Sequence, residues 1–368
     1  MARPRLLYIT PVIPALTGNG LAMRAGAVLE ALAHRHEVHL LVTPLYASVT
    51  PAIPECFAAL SRRAAIVSPR SVAPWSGERF DIVHIFRLAA LPFARPYLGG
   101  RWRRARRHLD LDDIESVTHR RIAALHRRNG DPAMAAFEEN QAARQEAVER
   151  QALAACDRIY VCSAADKAAL EQHARTAIRV LPNAVRLPPA VADPPSDSDF
   201  TFLFVGTLGY YPNEDAARWL CSAIVPRLGE LAVRRFAVHI AGTGASDALR
   251  QAIDRPPVRF LGQAGDLAPC YGAAHAVVAP IRAGGGTRIK ILEAFAYRRP
   301  VVATAMAMEG IEARPGEHFL PGDTPEEFAR QCASLLADPG AGAPLAREAH
   351  ALLLRSYTIE ALIRALND

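Results

Sequence analysis

The chain has 368 residues, of which 51% are hydrophobic and 22% are charged. This composition is typical of globular proteins and excludes a largely disordered chain. No run of about 18 uncharged apolar residues occurs, so we expect no membrane-spanning helix. The six cysteines are scattered, without a C-x-x-C pair. This pattern favours free thiols in a reducing cytoplasm over a disulfide framework or a metal site.

Positive charge is concentrated in the first half of the chain. Residues 1–190 carry a net charge of +9 and the remainder carries −3, and the densest basic run extends from Arg101 to Arg107. A basic surface favours an anionic partner. We predict peripheral attachment to an anionic membrane surface through this run, on the cytoplasmic face, and no nucleic-acid partner. The alternative is a solvated arginine face.

Short apolar runs alternate with amphipathic stretches along the first half. The predicted strands cover residues 5–9, 37–42, 81–86, 158–161 and 178–181, and the clearest helices cover residues 21–33 and 132–155. This alternation is typical of a parallel sheet with helices on both faces. We therefore expect a doubly wound, Rossmann-like α/β domain over residues 1–185.

A linker and a second set of alternating elements follow. Residues 186–199 contain four prolines among small polar residues and do not form a packed element. Beyond them, strands are predicted at residues 201–205, 236–241, 258–261, 276–281 and 300–304. The sequence thus predicts a second Rossmann-like α/β domain over residues 200–340 and helices over residues 341–368. Two doubly wound domains leave an interdomain cleft, where ligands bind beyond the carboxyl ends of the strands.

A glycine-rich turn between a predicted strand and a predicted helix carries the sharpest motif. It comprises Gly284, Gly285, Gly286 and Thr287, and we expect the helix to open near Thr287. Glycine lets a ligand approach the backbone closely, and a helix N-terminus presents free N–H groups and partial positive charge. The turn is therefore suited to binding a phosphate.

Three charged residues follow this turn on the predicted helix. Arg288 and Lys290 place two cations in the first turn, where they oppose the helix dipole unless an anion lies above them. Glu293 lies on the same helix face as Lys290, where it can accept hydrogen bonds from sugar hydroxyls. The alternative is an ordinary strand–helix turn with a surface Lys–Glu pair.

Two further glycines of the second half also follow predicted strands. Gly206 and Thr207 come after residues 201–205, and Asn213 is the predicted N-cap of the next helix. Gly242 comes after residues 236–241. These turns are expected to face the same ligand as the glycine-rich turn, or to be structural turns only.

In the first half, a glycine turn joins the first strand to the first helix. It consists of Gly18, Asn19 and Gly20. The turn is not G-x-G-x-x-G, and no acidic residue ends the second predicted strand. A dinucleotide site is therefore poorly supported, although the turn still places backbone amides at the carboxyl edge of the sheet.

An acidic run follows a short apolar strand near residue 108. Asp110-x-Asp112 is compatible with a metal-binding D-x-D motif. Asp113 and Ser116 are equally compatible with capping of the following helix. The residues alone leave these alternatives open.

Together these segments resemble retaining glycosyltransferases of the GT-B fold, specifically glycosyltransferase family 4. The strongest match is the run Gly-Gly-Gly-Thr-Arg-Ile-Lys-Ile-Leu-Glu-Ala that begins at Gly284. Weaker matches are Tyr-Pro-Asn-x-Asp-Ala after Gly206 and Leu-Pro-Asn-Ala-Val at residues 181–185, so the resemblance spans nearly the whole chain. It implies two domains facing a cleft, with residues 341–368 crossing back to the first domain.

The resemblance also implies roles for particular residues. It assigns Glu293 to the ribose of the nucleotide, residues 284–287 to the donor sugar and diphosphate, and residues 18–20 to the phosphates. It assigns Gln263 to the loop near the base. A nucleotide diphospho-sugar is then the donor substrate, and no cofactor is expected.

Three features common in the family are absent here. They are a glutamate eight positions before Glu293, an Arg…Lys pair after the first strand of the second domain, and a histidine beside the donor sugar. The residues in these places are Gly285, Thr207, Asn213, Asp112 and Asp113. We expect Arg288 and Lys290 to supply the missing cations, and the two aspartates to contact the donor sugar or the acceptor.

We therefore predict an enzyme of polysaccharide or glycoconjugate biosynthesis. It would transfer a hexose-type sugar from a nucleotide diphospho-sugar to a glycan, lipid-linked or small-molecule acceptor. Backbone amides, a helix N-terminus and cations are sufficient to stabilise the leaving diphosphate, so we expect no metal ion. The resemblance implies retention of configuration. Alternatives are a nucleotide-sugar epimerase, a non-catalytic binding partner, and a metal-dependent GT-A enzyme using Asp110-x-Asp112.

Overall fold

The computed structural model describes residues 3–44, 52–68, 73–98, 105–174, 176–194 and 199–367. Most of the basic run, residues 101–104, and part of the predicted linker, residues 195–198, lie outside the described residues. The chain divides into two compact units. The first comprises Met1–Thr118, Glu139–Ala184 and Ile359–Asp368, and the second comprises His119–Glu138 and Val185–Thr358.

The first unit is built on a parallel sheet, for which the described residues supply seven strands in the order β3-β2-β1-β4-β5-β6-β7. Their bounds are β1 Arg5–Thr10, β2 Glu37–Val42, β3 Arg63–Ile66, β4 Ile82–Phe86, β5 Arg106–Asp112, β6 Arg158–Val161 and β7 Ile178–Val180. Each neighbouring pair runs parallel, as in the register Tyr8↔His84 between β1 and β4. Their carboxyl ends therefore lie at one edge of the sheet.

Both faces of this sheet are buried, which is why its strands read as apolar runs. Leu7 and Ile9 of β1 belong to one buried cluster, whereas Leu6 and Tyr8 belong to the other. The helices that accompany the sheet are α1 Gly20–Ala33, α2 Glu55–Ala59, α3 Leu91–Ala94, α4 Glu115–Arg128, α5 Pro132–Ala155, α6 Ala164–Glu171 and α15 Ile359–Asn367. Of these, α15 packs against α1.

The second unit repeats this plan with a parallel sheet of six described strands, ordered β10-β9-β8-β11-β12-β13. Their bounds are β8 Phe200–Val205, β9 Phe236–Ala241, β10 Val258–Gly262, β11 Ala276–Ala279, β12 Val301–Ala303 and β13 Leu320–Pro321. The accompanying helices are α7 Tyr211–Trp219, α8 Val225–Leu231, α9 Asp247–Ile253, α10 Ala268–Ala273, α11 Ile289–Ala296, α12 Ala305–Met308, α13 Pro325–Ala337 and α14 Gly342–Ser356. A π-helical turn, Leu220–Ile224, joins α7 to α8.

The prediction of two Rossmann-like α/β domains is confirmed by these two sheets. Sequence reasoning missed β3, whose residues are exposed or half-buried and lack an apolar run. It also ended the strand before the acidic run too early, because β5 continues through Asp112. The two-residue β13 was likewise not predicted.

Candidate functional site

The glycine-rich turn of the second unit, residues 284–287 (the glycine loop), lies between β11 and α11. Gly284 and Gly286 have φ angles of +119° and +65°, which L-residues with a side chain adopt only with strain. The helix begins at Ile289, so the predicted opening near Thr287 was wrong by two residues. Arg288 is consequently the N-cap residue, rather than part of the first turn.

The side chain of Arg288 bonds to the glycine loop itself. Its guanidinium donates to the carbonyl oxygens of Gly285, at 2.6 Å, and Gly286, and it reaches the Met306 carbonyl at 3.4 Å. Arg288 therefore stabilises the conformation of the glycine loop that precedes it. A direct contact between Arg288 and a donor phosphate stays a prediction.

Lys290, on α11, reaches across to the turn that follows β8. Its ammonium donates to Asn213 Oδ1 at 2.7 Å and lies 4.8 Å from the centre of the Phe204 ring. Asn213 in turn donates to the Thr207 carbonyl at 3.0 Å. Removal from solvent, reinforced by the charge of Arg288, lowers the pKa of Lys290 to about 7.

The prediction of Asn213 as an N-cap was wrong. The helix α7 starts two residues earlier, at Tyr211, with Pro212 in its first turn. Asn213 therefore lies inside the helix, where its side chain connects Lys290 to Thr207. Asn213 is thus a contact of Lys290 and not a helix cap.

Glu293 lies one turn beyond Lys290 and is buried, with 9% of its surface exposed. Burial raises the pKa of this carboxyl to about 7, against the opposing effects of the Tyr271 hydroxyl and Lys290. Tyr271 donates to Glu293 Oε2 at 3.2 Å and stacks on Tyr297 with ring centres 4.6 Å apart. Tyr271 was not singled out from the sequence, because an isolated tyrosine carries no motif.

The other glycines of the second unit bring two strand ends close together. A Cβ atom on Gly242 would lie 1.7 Å from the carbonyl oxygen of Gly206, and one on Gly206 would lie 3.0 Å from the Lys290 ammonium. Gly206, Thr207 and Gly242 thus lie with Lys290 at the carboxyl ends of β8 and β9. Gln263 follows the edge strand β10 and is exposed.

In the first unit, a fully buried arginine organises the carboxyl edge of the sheet. Arg24, on α1, donates to Asp110 Oδ1 at 2.8 Å, to Asn183 Oδ1 at 3.0 Å and to the Leu181 carbonyl at 3.1 Å. The Asp110 carboxylate, which is also fully buried, additionally accepts from the Asp112 backbone N–H at 3.0 Å. Arg24 therefore pairs with Asp110, the first carboxylate of the D-x-D pattern.

Asp112 and Asp113, the predicted sugar or acceptor contacts, lie at the end of β5. Asp112 Oδ1 is 3.3 Å from Arg24 Nε, and its Oδ2 is 3.6 Å from Arg87 Nη1. Burial nevertheless raises the pKa of Asp112 to about 6. Asp113 forms an ion pair with Arg87 and accepts a hydrogen bond from Thr118 Oγ1 at 2.8 Å.

Backbone strain marks the same place. Arg87, directly after β4, has φ +68°, and Asp112, the last residue of the neighbouring β5, has φ +63°. Such conformations cost on the order of 1 kcal/mol or more for residues other than glycine and are concentrated at functional sites. The carboxyl edge of β4 and β5 is therefore the best-supported polar site of the first unit.

The glycine turn of the first unit, residues 18–20, forms the N-terminus of α1. Asn19 is the N-cap of α1, and its Oδ1 accepts from the backbone N–H groups of Leu21 and Ala22 at 2.9 and 3.3 Å. Gly18 has φ +96° with open space beside it, and Gly20 is the first helical residue. Contacts from this turn to a donor phosphate stay a prediction.

Of the basic run, the structure describes only its end. Arg106 and Arg107 are the first residues of β5, and the Arg107 backbone N–H donates to Asp157 Oδ2 at 2.7 Å.

None of the helices in the described part of the chain is both long and apolar enough to cross a membrane. Within the same residues, no three His, Cys, Asp or Glu side chains are grouped to hold a metal ion.

Arg24 and Arg87 were missed by sequence reasoning. Arg24 lies in a run of α1 in which every residue from Met23 to Leu29 is buried, so a cation in an otherwise apolar helix segment was an available signal. Arg87 had no comparable signal, because an arginine after a strand reads as an ordinary surface residue.

Comparison with known proteins relates the second unit to a family. Residues 199–338 match the model of a family described as glycosyl transferases group 1. No curated protein sequence matches the chain.

The whole chain shares its fold with solved structures. Sucrose-phosphate synthase from Thermosynechococcus elongatus is 16% identical, with a TM-score of 0.71 over 99% of this chain and 97% of that chain. HepE from Anabaena, solved with UDP-glucose, is 14% identical, with a TM-score of 0.69 over 99% and 98%. A glycosyltransferase from Rickettsia africae is 13% identical, with a TM-score of 0.68 over 99% and 97%. The family match and the shared fold indicate a glycosyltransferase enzyme of the GT-B fold.

Proposed function

We propose that the protein transfers a hexose-type sugar from a nucleotide diphospho-sugar to a glycan, lipid-linked or small-molecule acceptor. The observation that carries this proposal is the placement of Lys290 and Glu293 three residues apart on α11, directly after the glycine loop. The family match over residues 199–338 supports a donor bound by the second unit. Anabaena HepE has been solved with UDP and with UDP-glucose, which makes UDP-glucose the first donor to test.

The donor diphosphate is assigned to the glycine loop and the N-terminus of α11. When the bond between the anomeric carbon and the phosphate oxygen breaks, negative charge develops on the departing diphosphate. Backbone N–H groups and a nearby ammonium stabilise that charge because they are fixed in place before the reaction. Lys290 reaches the turn after β8, where its ammonium donates to Asn213.

The ribose is assigned to Glu293. A carboxylate accepts hydrogen bonds from two vicinal hydroxyls, and charge-assisted bonds of this kind are among the stronger ones. Burial disfavours the ionised carboxylate and raises the pKa of Glu293 to about 7. Sugar hydroxyls that donate to Glu293 would compensate for that burial.

The acceptor is assigned to the first unit, with Asp112 and Asp113 as its proposed polar contacts. We propose retention of configuration. The acceptor oxygen then bonds to the anomeric carbon on the face that the diphosphate leaves, and the acceptor proton passes to the departing phosphate oxygen. No protein nucleophile is required in this scheme, and no metal ion is required to stabilise the leaving group.

The test is release of nucleoside diphosphate from a panel of donors, beginning with UDP-glucose, in the presence of a crude acceptor extract. Acceptor-dependent release supports transfer. Conversion of the donor to an isomer without release would instead identify an epimerase, and binding without either reaction would identify a non-catalytic partner. Loss of activity in EDTA that Mn²⁺ restores would reject metal independence, and an inverted product by NMR would reject retention.

We propose that the protein is cytoplasmic and attached peripherally to an anionic membrane. The basis of this proposal is the charge of the run from Arg101 to Arg107, together with the net charge of +9 over residues 1–190. Electrostatic attachment weakens with salt because the charges are screened. Flotation with phosphatidylserine vesicles in low and high salt tests it, and an absence of salt-sensitive binding would remove the proposal.

A further inference from the structure

A part of the chain that comes early in the sequence belongs to the second unit. Residues His119–Glu138, which comprise most of α4 and the start of α5, group with Val185–Thr358. We call this segment the helical tip. Nothing in the family assignment of residues 199–338 gives it a role.

Arg121 connects the helical tip to the glycine loop. Its guanidinium donates to the carbonyl oxygen of Gly284 at 3.1 Å and to both carboxylate oxygens of Glu309, at 2.6 and 2.7 Å. Two parallel bonds to one carboxylate fix the plane of the guanidinium. The direction of the bond to Gly284 is therefore fixed as well.

Glu309 directly follows α12, and Arg288 also contacts this helix. Arg288 donates to the Met306 carbonyl in α12 and to two carbonyls of the glycine loop. The glycine loop is thus held to the α12 segment by two arginines. Arg288 is the N-cap residue of α11, and Arg121 belongs to the helical tip.

The chain just before the glycine loop is also connected to the helical tip. Arg282, two residues before Gly284, bonds to Asp215 with its Nε and Nη2 atoms at 2.9 and 2.5 Å. Asn129 of the helical tip donates to the same carboxylate at 2.7 Å. His126, also of the tip, stacks on Tyr211 with ring centres 3.8 Å apart.

We propose that Arg121 is a positioning residue of the donor site, which holds the Gly284 carbonyl so that the N–H groups of residues 285–287 are ordered before the donor binds. This inference rests on the proposed function. The loop contains two glycines with positive φ, so its unconstrained form is highly flexible. A loop ordered in advance binds a diphosphate more tightly, because less freedom is lost on binding.

The test uses UDP affinity, measured by calorimetry, for Arg121→Ala, Glu309→Ala and the double variant. Arg128→Ala, at an exposed position on the same helix, is the matched control. We expect each single variant to weaken UDP binding about 3- to 10-fold. The double variant should bind no more weakly than Arg121→Ala, because the two substitutions remove the same Arg121–Glu309 contact. Arg121→Lys keeps the charge but loses the paired geometry, so it should restore binding only in part.

The sign of the Glu309→Ala effect separates positioning from direct contact. If Arg121 bound the phosphate itself, freeing it from Glu309 would tighten UDP binding, and that result would overturn the proposal. Hydrogen exchange of the unliganded protein gives a readout that needs no nucleotide. The amides of residues 285–287 should exchange at least about 3-fold faster in Arg121→Ala than in Arg128→Ala.

Equal exchange in these two variants would also overturn the proposal. Faster exchange in a protein that binds no nucleotide would instead leave the positioning contact standing and reject the proposed function.

Discussion

The Lys290 ammonium lies 2.7 Å from the side-chain oxygen of Asn213, so a cation of α11 is held at the turn that follows β8. The turn after β8 is therefore contacted by a cation that belongs to a different element. The protonation state of Lys290 then determines the charge at this turn.

Lys290 should make nucleotide binding sensitive to alkaline pH. Its pKa is lowered to about 7, mainly by burial, so its protonated fraction falls as pH rises through 7. We expect the Kd for UDP to rise about tenfold between pH 7 and pH 8.5. Lys290→Met should bind weakly at both pH values, whereas Lys290→Arg should bind without this pH dependence. A pH-independent Kd in the unmodified protein would contradict the assignment.

Glu293 is expected to dominate ribose recognition. Replacement of a buried charged acceptor costs about 1.5–3 kcal/mol, so Glu293→Ala should weaken UDP binding roughly tenfold or more. Because its pKa is raised to about 7, the ionised form is lost as pH falls below 7. Calorimetry at pH 7.5 and pH 6 should show this acid weakening in the unmodified protein and not in Glu293→Gln. Deoxyribose nucleotides provide the ligand-side control.

Asp112 should be the group whose protonation lowers kcat at acid pH. Burial raises its pKa to about 6, although Arg24 and Arg87 lower it. The ionised carboxylate is the stronger acceptor for hydroxyls, so kcat should fall as pH drops through about 6. Asp112→Asn should be slow and should lack this limb. If Asp112→Asn keeps the same acid limb, the titrating group lies elsewhere.

The buried Arg24–Asp110 pair should be costly to break from one side. Arg24→Met leaves the Asp110 carboxylate, which is fully buried, without its cation. Such one-sided removal costs about 3–5 kcal/mol, measurable by denaturant unfolding at pH 7.5. The double variant Arg24→Met with Asp110→Asn should recover part of that loss. Arg62→Met is the control, because Arg62 is 60% exposed, and it should change stability by less than about 0.5 kcal/mol.

Two buried histidines should make the first unit sensitive to acid. His84 and His108 are neighbours on β4 and β5, and burial lowers the pKa of each to about 3. The unfolded chain takes up their protons below about pH 6.5, whereas the folded chain does not, so stability is complete above 6.5 and falls between 6.5 and 3. The slope is about 1.4 kcal/mol per pH unit for each histidine.

His84→Phe tests this by replacing one of the two histidines. The difference in unfolding free energy between pH 7.5 and pH 5 should be smaller in His84→Phe than in the unmodified protein. Tyr8 and Tyr160 both contact the His84 ring at 5.6 Å between centres, so a phenyl ring suits the position. An unchanged difference would show that the histidine is not responsible.

The fold was predictable because both sheets are parallel and covered on two faces, which produces uniform apolar runs such as β8, where all six residues are buried. The strand β3 was not, because its residues Arg63 and Ala64 are exposed at an edge. The glycine loop was predictable for a related reason. The positive φ angles of Gly284 and Gly286 require glycine at fixed places in this turn, and the local sequence contains those glycines.

Residues that act across long separations were not predictable in this way. Arg121 and Glu309 are 188 positions apart in sequence, and Arg24 lies 159 positions from Asn183. No local period or motif joins such pairs, because only the packing of whole elements brings them together. Asn213 shows an intermediate case, since its place beside the site was predicted and its contact with Lys290 was not.

The discontinuity of the first unit has a consequence for its synthesis. Ile359 and Leu362 of α15 complete the apolar cluster that contains Leu6 and Val28, yet about 175 residues separate Ala184 from Ile359. A ribosome adds that length in about 10–35 s. Throughout this interval the nascent first unit exposes the face of α1 that α15 later covers, which is the kind of surface that chaperones bind. A truncation that removes Ile359–Asp368 therefore damages the first unit, although most of that unit is synthesised much earlier.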